Sequence, residues 1–249
     1  LHCDWHANAY IRVEILDKIF GINGFRNEII WQRTNSKGLA LNRLPQNHDT
    51  IYYYTKSNEY TWNPIYLPHN EEYLTQFYKY IEEGSGRRYR LADLTNPNKD
   101  RPNLTYEFLG ITRVWRWTRD RMQNAFDEGL IIQLKPGNVP QLKRYLDEQE
   151  GNPLDDNWID ISANQQNRKE RIGYPTQKPE VLLHRIIEMS SNEDDIVLDP
   201  FVGGGTTISV AEKLKRRWIG VDQSVQAIKV TEMRLQKSQD LFSSPFSVE

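Results

Sequence analysis

The stretch that most constrains this chain is residues 195–207, DIVLDPFVGGGTT, followed by a second apolar run at residues 218–221 and then Asp222. An apolar run meeting three adjacent glycines predicts a strand at 196–198, a tight turn, and a helix from about Thr206 to Lys215. The next apolar run adds a second strand, and strand, helix, strand is the unit of a parallel sheet. Adjacent glycines in such a turn admit backbone angles closed to other residues and let a ligand approach the main chain. Open α/β sheets bind ligands at the carboxyl ends of their strands, and an acid after the next strand suits the ribose hydroxyls of a nucleoside. Asp222 stands 19 residues beyond Gly203. A nucleoside-containing cofactor is therefore expected.

The neighbouring residues choose among cofactors. A dinucleotide fingerprint starting at Gly203 needs glycine at 208, where Ile208 stands, and the Gly-Lys-Ser/Thr of a phosphate-binding loop is absent. Asp199 puts a carboxylate beside the turn, which repels a pyrophosphate and attracts an ammonium group. S-adenosylmethionine offers an ammonium, a ribose and an adenine. The plainer alternative is a tight turn in which Asp199 merely caps the helix.

Upstream, the chain divides into three. Residues 1–67 begin with the end of a strand, then Tyr10, Ile11, Val13, Leu16, Ile19 and Phe20 at helical spacing, with Gly21 at the stop and Asp4 or Asn8 as cap. Strands are expected at 28–32 and 50–55, separated by a long polar loop at 33–48 that is a candidate lid. Residues 68–173 read as an irregular inserted subdomain with short helices at 71–83 and 118–128. Residues 174–249 resume the regular pattern, with Pro179 in the first turn of a helix, a further helix from about Val225, and the glycine turn between them.

Composition sets outer bounds. The 249 residues, 38% apolar and 27% charged, suffice for one core plus an inserted unit. A net charge of −2 gives no global pull toward nucleic acid or membrane, so a polyanion must be met by a local patch. One cysteine, Cys3, rules out an intrachain disulfide framework and fits a reducing, cytoplasmic setting. No apolar segment has the length of a membrane span. His2, Cys3, Asp4 and His6 are ligand types, but their spacing matches no common zinc pattern and no metal is expected.

Taken together, YPTQKPEVLLHRII, VLDPFVGGGTT and RRWIGVDQS, in that order, resemble the end of a β-class DNA amino-methyltransferase, the adenine-N6 or cytosine-N4 enzymes. LHCDWHANAYIRVEILDKIFG, FRNEIIWQRT and HDTIYYYTKS are similar to segments of the same family, and residues 86–118 to its variable recognition region. The resemblance implies a permuted, Rossmann-like, S-adenosylmethionine-dependent methyltransferase fold with an inserted target-recognition region. At matching positions it implies that Asp199 meets the methionine ammonium and that Pro200, Phe201 and Thr206 line the cofactor. Gly203, Gly204 and Gly205 would give it backbone room, and Asp222 would hold the ribose. Thr176, Gln177 and Lys178 would lie near the methionine carboxylate, for which a charge and a hydroxyl are suitable partners.

The family's (Asp/Asn/Ser)-Pro-Pro-aromatic segment accepts the amino hydrogens of the target base and stacks on it. This sequence contains no Pro-Pro. The segment, and with it the catalytic residues, is expected upstream of Leu1, and residues 1–249 alone are expected to transfer no methyl group. Adenine N6 is the preferred target. Cytosine N4, an RNA or protein methyltransferase, and a non-catalytic DNA-binding remnant are the alternatives.

The implied partner is duplex DNA, from which the target base must be flipped, and a bacterial or phage setting with a second copy or a restriction subunit is compatible with it. Residues 84–121 hold nine basic residues against four acidic ones. Arg87, Arg88, Arg90, Arg113 and Arg116 are candidate DNA contacts, with Trp115 and Trp117 interleaved to stack on bases or lie beneath guanidiniums. Arg33, Lys37 and Arg43 of the long loop are candidates for holding the displaced strand.

Overall fold

The computed structural model describes residues 1–35, 42, 44–163, 170, 172–175, 177–238 and 246–248. It divides into two compact units, one formed by residues 1–65 and 154–249, the other by residues 66–153.

In chain order the first unit opens with β1 (His2–Cys3), then α1 (Asn8–Tyr10) and α2 (Asp17–Phe20), joined without a break by a π-helical turn at Ile11–Leu16. Neither expected residue is the N-cap, which is Ala7: Asp4 accepts from the His6 amide, and Asn8, the first helical residue, accepts from the Ala9 amide through its side chain. The expected apolar stripe also splits. Leu16 is buried and Ile11 half-buried, five residues apart as suits a π turn, while Tyr10, Val13 and Ile19 stay in solvent and Phe20, though it touches the Tyr54 ring, is exposed. β2 (Phe25–Gln32) and β3 (His48–Tyr54) pair antiparallel, as their β-branched and aromatic residues favour.

The second unit follows. It contains β4 (Tyr66–Leu67), α3 (Glu71–Phe77), β5 (Tyr80–Ile81), β6 (Arg88–Asp93), β7 (Thr105–Phe108), β8 (Ile111–Val114), α4 (Arg119–Asp127), β9 (Ile131–Ile132), β10 (Gln141–Tyr145) and β11 (Asn152–Pro153). Its strands form a four-stranded antiparallel sheet ordered β5–β6–β10–β9, so the region expected to be irregular is organised around a sheet. The helix expected over 71–83 ends at Phe77, and the chain turns into β5. β7 and β8 form a hairpin closed by Leu109 and Gly110, both at positive φ, the geometry of a two-residue hairpin turn. This unit buries its own core: Leu94, Phe108, Trp115, Met122, Ala125, Ile131 and Leu142.

Returning to the first unit, β12 (Asn157–Trp158) pairs parallel with β2, giving the order β1–β3–β2–β12. Residues 154–173, expected to belong to the insertion, therefore group with the first unit. Trp158 and Ile161 are buried in its core with Trp31, whose indole donates to the Ile161 carbonyl at 2.7 Å. α5 (Glu180–Ser190), β13 (Ile196–Asp199), α6 (Thr206–Lys213), β14 (Arg217–Gly220) and α7 (Val225–Ser238) complete it. β13 and β14 pair in parallel across α6, the expected strand, helix, strand unit. Val197 packs on Ile187, Val210 and Ala211 of α5 and α6. Ile196, Leu198 and Ile219 point to the other face, where they are more than half exposed.

Candidate functional site

β13 ends at Asp199, and the turn that follows is built by hydrogen bonds to side chains on both flanks. Asp199 accepts from the Phe201 amide at 3.0 Å, an Asx-type turn. Parallel pairing continues past the strand, with the Val221 amide donating to the Asp199 carbonyl and the Val202 amide to the Val221 carbonyl. Asp222 then reaches the turn directly: its carboxylate accepts from the Gly203 amide at 2.9 Å and the Ser224 amide at 2.8 Å. Each carboxylate oxygen carries two acceptor sites, so capacity remains for a hydroxyl.

Gly203 and Gly205 lie at φ +51° and +70°, in the left-handed region. The glycines are hemmed in on both sides. A Cβ on Gly205 would stand 2.6 Å from the Thr231 hydroxyl, and one on Gly204 would stand 3.1 Å from the Tyr174 side chain. From α7, the Thr231 hydroxyl donates to the Gly203 carbonyl, and the Arg234 guanidinium donates to the Gly204 carbonyl at 2.8 Å and the Thr206 hydroxyl at 3.0 Å. Arg234 is buried and faces Glu180 at 3.4 Å. Thr231, Arg234 and Tyr174 escaped the sequence reading. The available signal was Arg234 itself, a guanidinium between Met233 and Leu235 with Thr231 one helical turn before it.

A cavity of about 1180 Å³ opens beside the turn within the first unit. Its lining includes Gln177, Lys178, Asp199, Pro200, Phe201, Gly203, Gly204 and Thr206. Phe201 is 82% exposed, an unusually bare aromatic ring. Burial pulls the Lys178 ammonium below the usual lysine range, opposed by the nearby Asp49 carboxylate. Asp49, itself buried, pairs with His2 at 3.0 Å and Arg33 at 2.9 Å. The Gln177 side chain is occupied by its own loop, accepting from the Ile172 amide and donating to the Glu170 carbonyl.

Two expected members stand apart from that lining. Gly205 serves as the N-cap of α6 and packs on Thr231, while Asp222 borders a second cavity of about 520 Å³ with Trp218, Ile228 and Phe246. Thr176 lies outside the described residues, as do Lys37 and Arg43.

The arginines expected at DNA are unequal. Arg87 is engaged by Asp147 and Glu148 at 2.7 and 2.6 Å and lies over the Tyr145 ring. Arg88 donates to the Tyr78 and Leu74 carbonyls, and Arg90 lies 5.9 Å over the Tyr78 ring with its Nε buried. Arg116 gives its Nε to the Thr95 carbonyl but remains exposed, and Arg113 is exposed. Trp115 is fully buried, so of the two interleaved tryptophans only Trp117 lies beneath a guanidinium, that of Arg121 at 4.1 Å. Among the described residues no helix is long and apolar enough to cross a membrane, and no cluster of His, Cys, Asp or Glu has the grouping of a metal site.

Strand, glycine turn, helix and parallel strand, with an acid closing the turn, define an α/β protein of the Rossmann-like type. The chain belongs to the DNA methylase family, whose model matches residues 1–233. It is 31% identical over 225 residues to the type II methyltransferase M.EcaI of Enterobacter cloacae, covering 88% of this chain and 49% of that protein. It is 26% identical over 216 residues to the Mod subunit of the type III restriction-modification enzyme StyLTI of Salmonella typhimurium, covering 80% of this chain and 33% of that one. The chain thus spans about half, or less, of the length of these relatives. Among solved structures it is similar to an M1.HpyAVI–SAM complex, with 18% identity, a TM-score of 0.43, and coverage of 94% of this chain and 72% of that one.

Proposed function

We propose that this protein transfers a methyl group from S-adenosylmethionine to an exocyclic amino group of a base in duplex DNA, adenine N6 by preference. Membership of the DNA methylase family carries the reading, and the chemistry of the cavity fits the cofactor. S-adenosylmethionine supplies an activated methyl group on a sulfonium. The residues of this chain bind and orient it. The partly desolvated Lys178 ammonium is matched to the methionine carboxylate and Asp199 to its ammonium. The bare Phe201 ring offers a stacking surface for the adenine. Asp222, already fixed by two amide bonds, keeps acceptor capacity for a ribose hydroxyl and holds Gly203 in place.

The amino lone pair of the target base is delocalised into its ring, and acceptors for its hydrogens are supplied in the family by an Asp-Pro-Pro-Tyr-type segment, which residues 1–249 do not contain. The test is to express the chain in frame with such a segment and incubate it with duplex DNA and methyl-labelled S-adenosylmethionine. The DNA is then digested to nucleosides. Label in N6-methyladenine is expected. Label confined to N4-methylcytosine would overturn the adenine preference, and absence of label from DNA would overturn the reading.

A further inference from the structure

We infer that Asp49 is a positioning residue of the cofactor site: it fixes the Lys178 ammonium at the wall of the larger cavity, and Lys178 in turn receives the methionine carboxylate of S-adenosylmethionine. The inference rests on the cofactor reading above and assigns the group that supports it from behind the wall.

The sheet brings the parts to one face. Asp49 of β3 stands directly opposite Trp31 of β2, and Ile51, two residues on, stands opposite His2 of β1. Paired residues, like alternate residues along a strand, share a face. His2, Trp31, Asp49 and Ile51 therefore lie on one side of the sheet, with Arg33 next in the same alternation after Trp31. α5 covers that side, since its Leu182 and Met189 are buried with Trp31 and Ile51. Lys178 stands two residues before α5 begins, within electrostatic reach of both Asp49 and Arg33.

Asp49 is buried and engaged, but incompletely. Its Oδ2 lies 3.0 Å from His2 Nε2, and the His2 ring stands edge-on to Trp31 at 5.6 Å. Its Oδ1 lies 2.9 Å from Arg33 Nε, at ion-pair distance but out of hydrogen-bond alignment, so that among the described residues neither of these buried atoms has a hydrogen bond. A buried carboxylate oxygen left in that state is costly, and it calls for a further donor. The Lys178 ammonium carries three N–H donors on a flexible stem, enough to serve Asp49 and a ligand carboxylate together.

Charge counting gives the sign of that ligand. One buried carboxylate faces the guanidinium of Arg33 and the ammonium of Lys178, with His2 beside them. The group holds at least one positive charge in excess. His2 and Lys178 line the cavity whereas Asp49 does not, so a carboxylate arriving from the cavity side neutralises the excess without displacing Asp49. With Asp49 gone, the partly desolvated Lys178 would face Arg33 alone. Like charge and burial both favour the neutral amine, which offers a carboxylate no charge.

The experiment is calorimetric titration of two ligands into the folded protein: S-adenosylmethionine, and 5′-methylthioadenosine, which keeps the adenosine and the sulfur but lacks the amino-acid arm. K178M is expected to weaken S-adenosylmethionine binding about tenfold. D49N, close to the parent in volume, is expected to weaken it about fivefold. Neither should alter binding of 5′-methylthioadenosine, and D49N/K178M should bind S-adenosylmethionine no more weakly than K178M, because Asp49 acts through the lysine. R33Q leaves the acid in place and removes the competing cation, so it should bind S-adenosylmethionine no more weakly than the parent; it also serves as the test should D49N fail to fold. Unchanged S-adenosylmethionine affinity in D49N would overturn the inference, as would equal weakening of both ligands, the mark of a merely structural role. Losses that multiply in the double variant would do the same, and this cycle decides alone where the shorter ligand binds too weakly to measure. Weakening by R33Q confined to S-adenosylmethionine would move the carboxylate to Arg33 and overturn the assignment. No S-adenosylmethionine binding by the folded parent would instead overturn the cofactor reading on which the inference rests.

Discussion

The glycine turn at 199–206 and the arginine-rich stretch at 84–121 both stand out in the sequence, yet they fold to opposite effect. In the turn, adjacent residues stay together: Asp199, Pro200, Phe201, Gly203, Gly204 and Thr206 all line one cavity. In the stretch, residues of one charge scatter. Arg87 and Arg88 are drawn into ion pairs and carbonyl contacts, Trp115 into the core, and Arg119 and Arg121 onto the outer faces of anchored rings. A strand-turn-helix fixes the position of each residue locally. A charge tally carries no such constraint, because a guanidinium several bonds long finds whatever acceptor the tertiary fold offers.

Substitutions can break this contrast. The largest effect is expected from Trp115→Ala, which empties a fully buried site in the second unit and should cost about 3–5 kcal/mol in urea unfolding. Phe201→Ala, an aromatic truncation at the turn, should change stability by no more than about 0.5 kcal/mol, because its ring is already bare. A large loss for Phe201→Ala would erase the distinction between a structural and a displayed aromatic.

Next comes the support beneath the glycines. Arg234→Ala removes the donor to Gly204 and Thr206 and leaves Glu180 paired with Lys213 alone, for an expected loss of about 2 kcal/mol by urea denaturation. Gly205→Ala combines a left-handed φ with an overlap on Thr231 and should cost about 2–3 kcal/mol. Adding Thr231→Ala should recover part of that loss by removing the two shortest contacts, at 2.6 and 2.7 Å, while a 2.9 Å contact with the Cβ of residue 231 and the φ strain stay. Full recovery would mean that the backbone angle carries no cost.

The smallest effect concerns acid stability in the second unit. Hydrogen bonds from Ser85, Tyr145 and Lys143 hold the Glu82 carboxyl down at about 2. A depressed carboxylate stabilises the fold above its unfolded-state value and loses that contribution as pH falls toward its folded value. Melting temperature should therefore drop between about pH 4.5 and pH 2, and Glu82→Gln should flatten that part of the profile. An unaltered profile in the variant would remove Glu82 as the source.

Much of the first unit was legible. Residues 28–32 and 50–55 carry the β-branched and aromatic residues of strands, and the last three helices follow apolar spacing. The sheet of the second unit was not. Its β6, RYRLAD, alternates charge with aromatic and apolar residues over only six positions, and its partner β10 lies far along the chain, so the pairing leaves no local trace. The helix expected to run on to residue 83 ends at Phe77, and the cap residue Tyr78, with ψ 51°, begins the turn into β5. At the site, residues neighbouring in sequence were readable, whereas Tyr174, Thr231 and Arg234 reach the glycines only once a loop and α7 have packed.

The most direct measurement is calorimetric titration of S-adenosylmethionine into the folded protein, comparing the parent with Phe201→Ala. The parent should bind saturably, and the variant, equally stable, should bind about tenfold more weakly, the loss of roughly 1.4 kcal/mol expected for a stacked aromatic. Equal affinities would contradict placement of the cofactor against the glycine turn, and absence of binding by the folded parent would contradict the cofactor site itself.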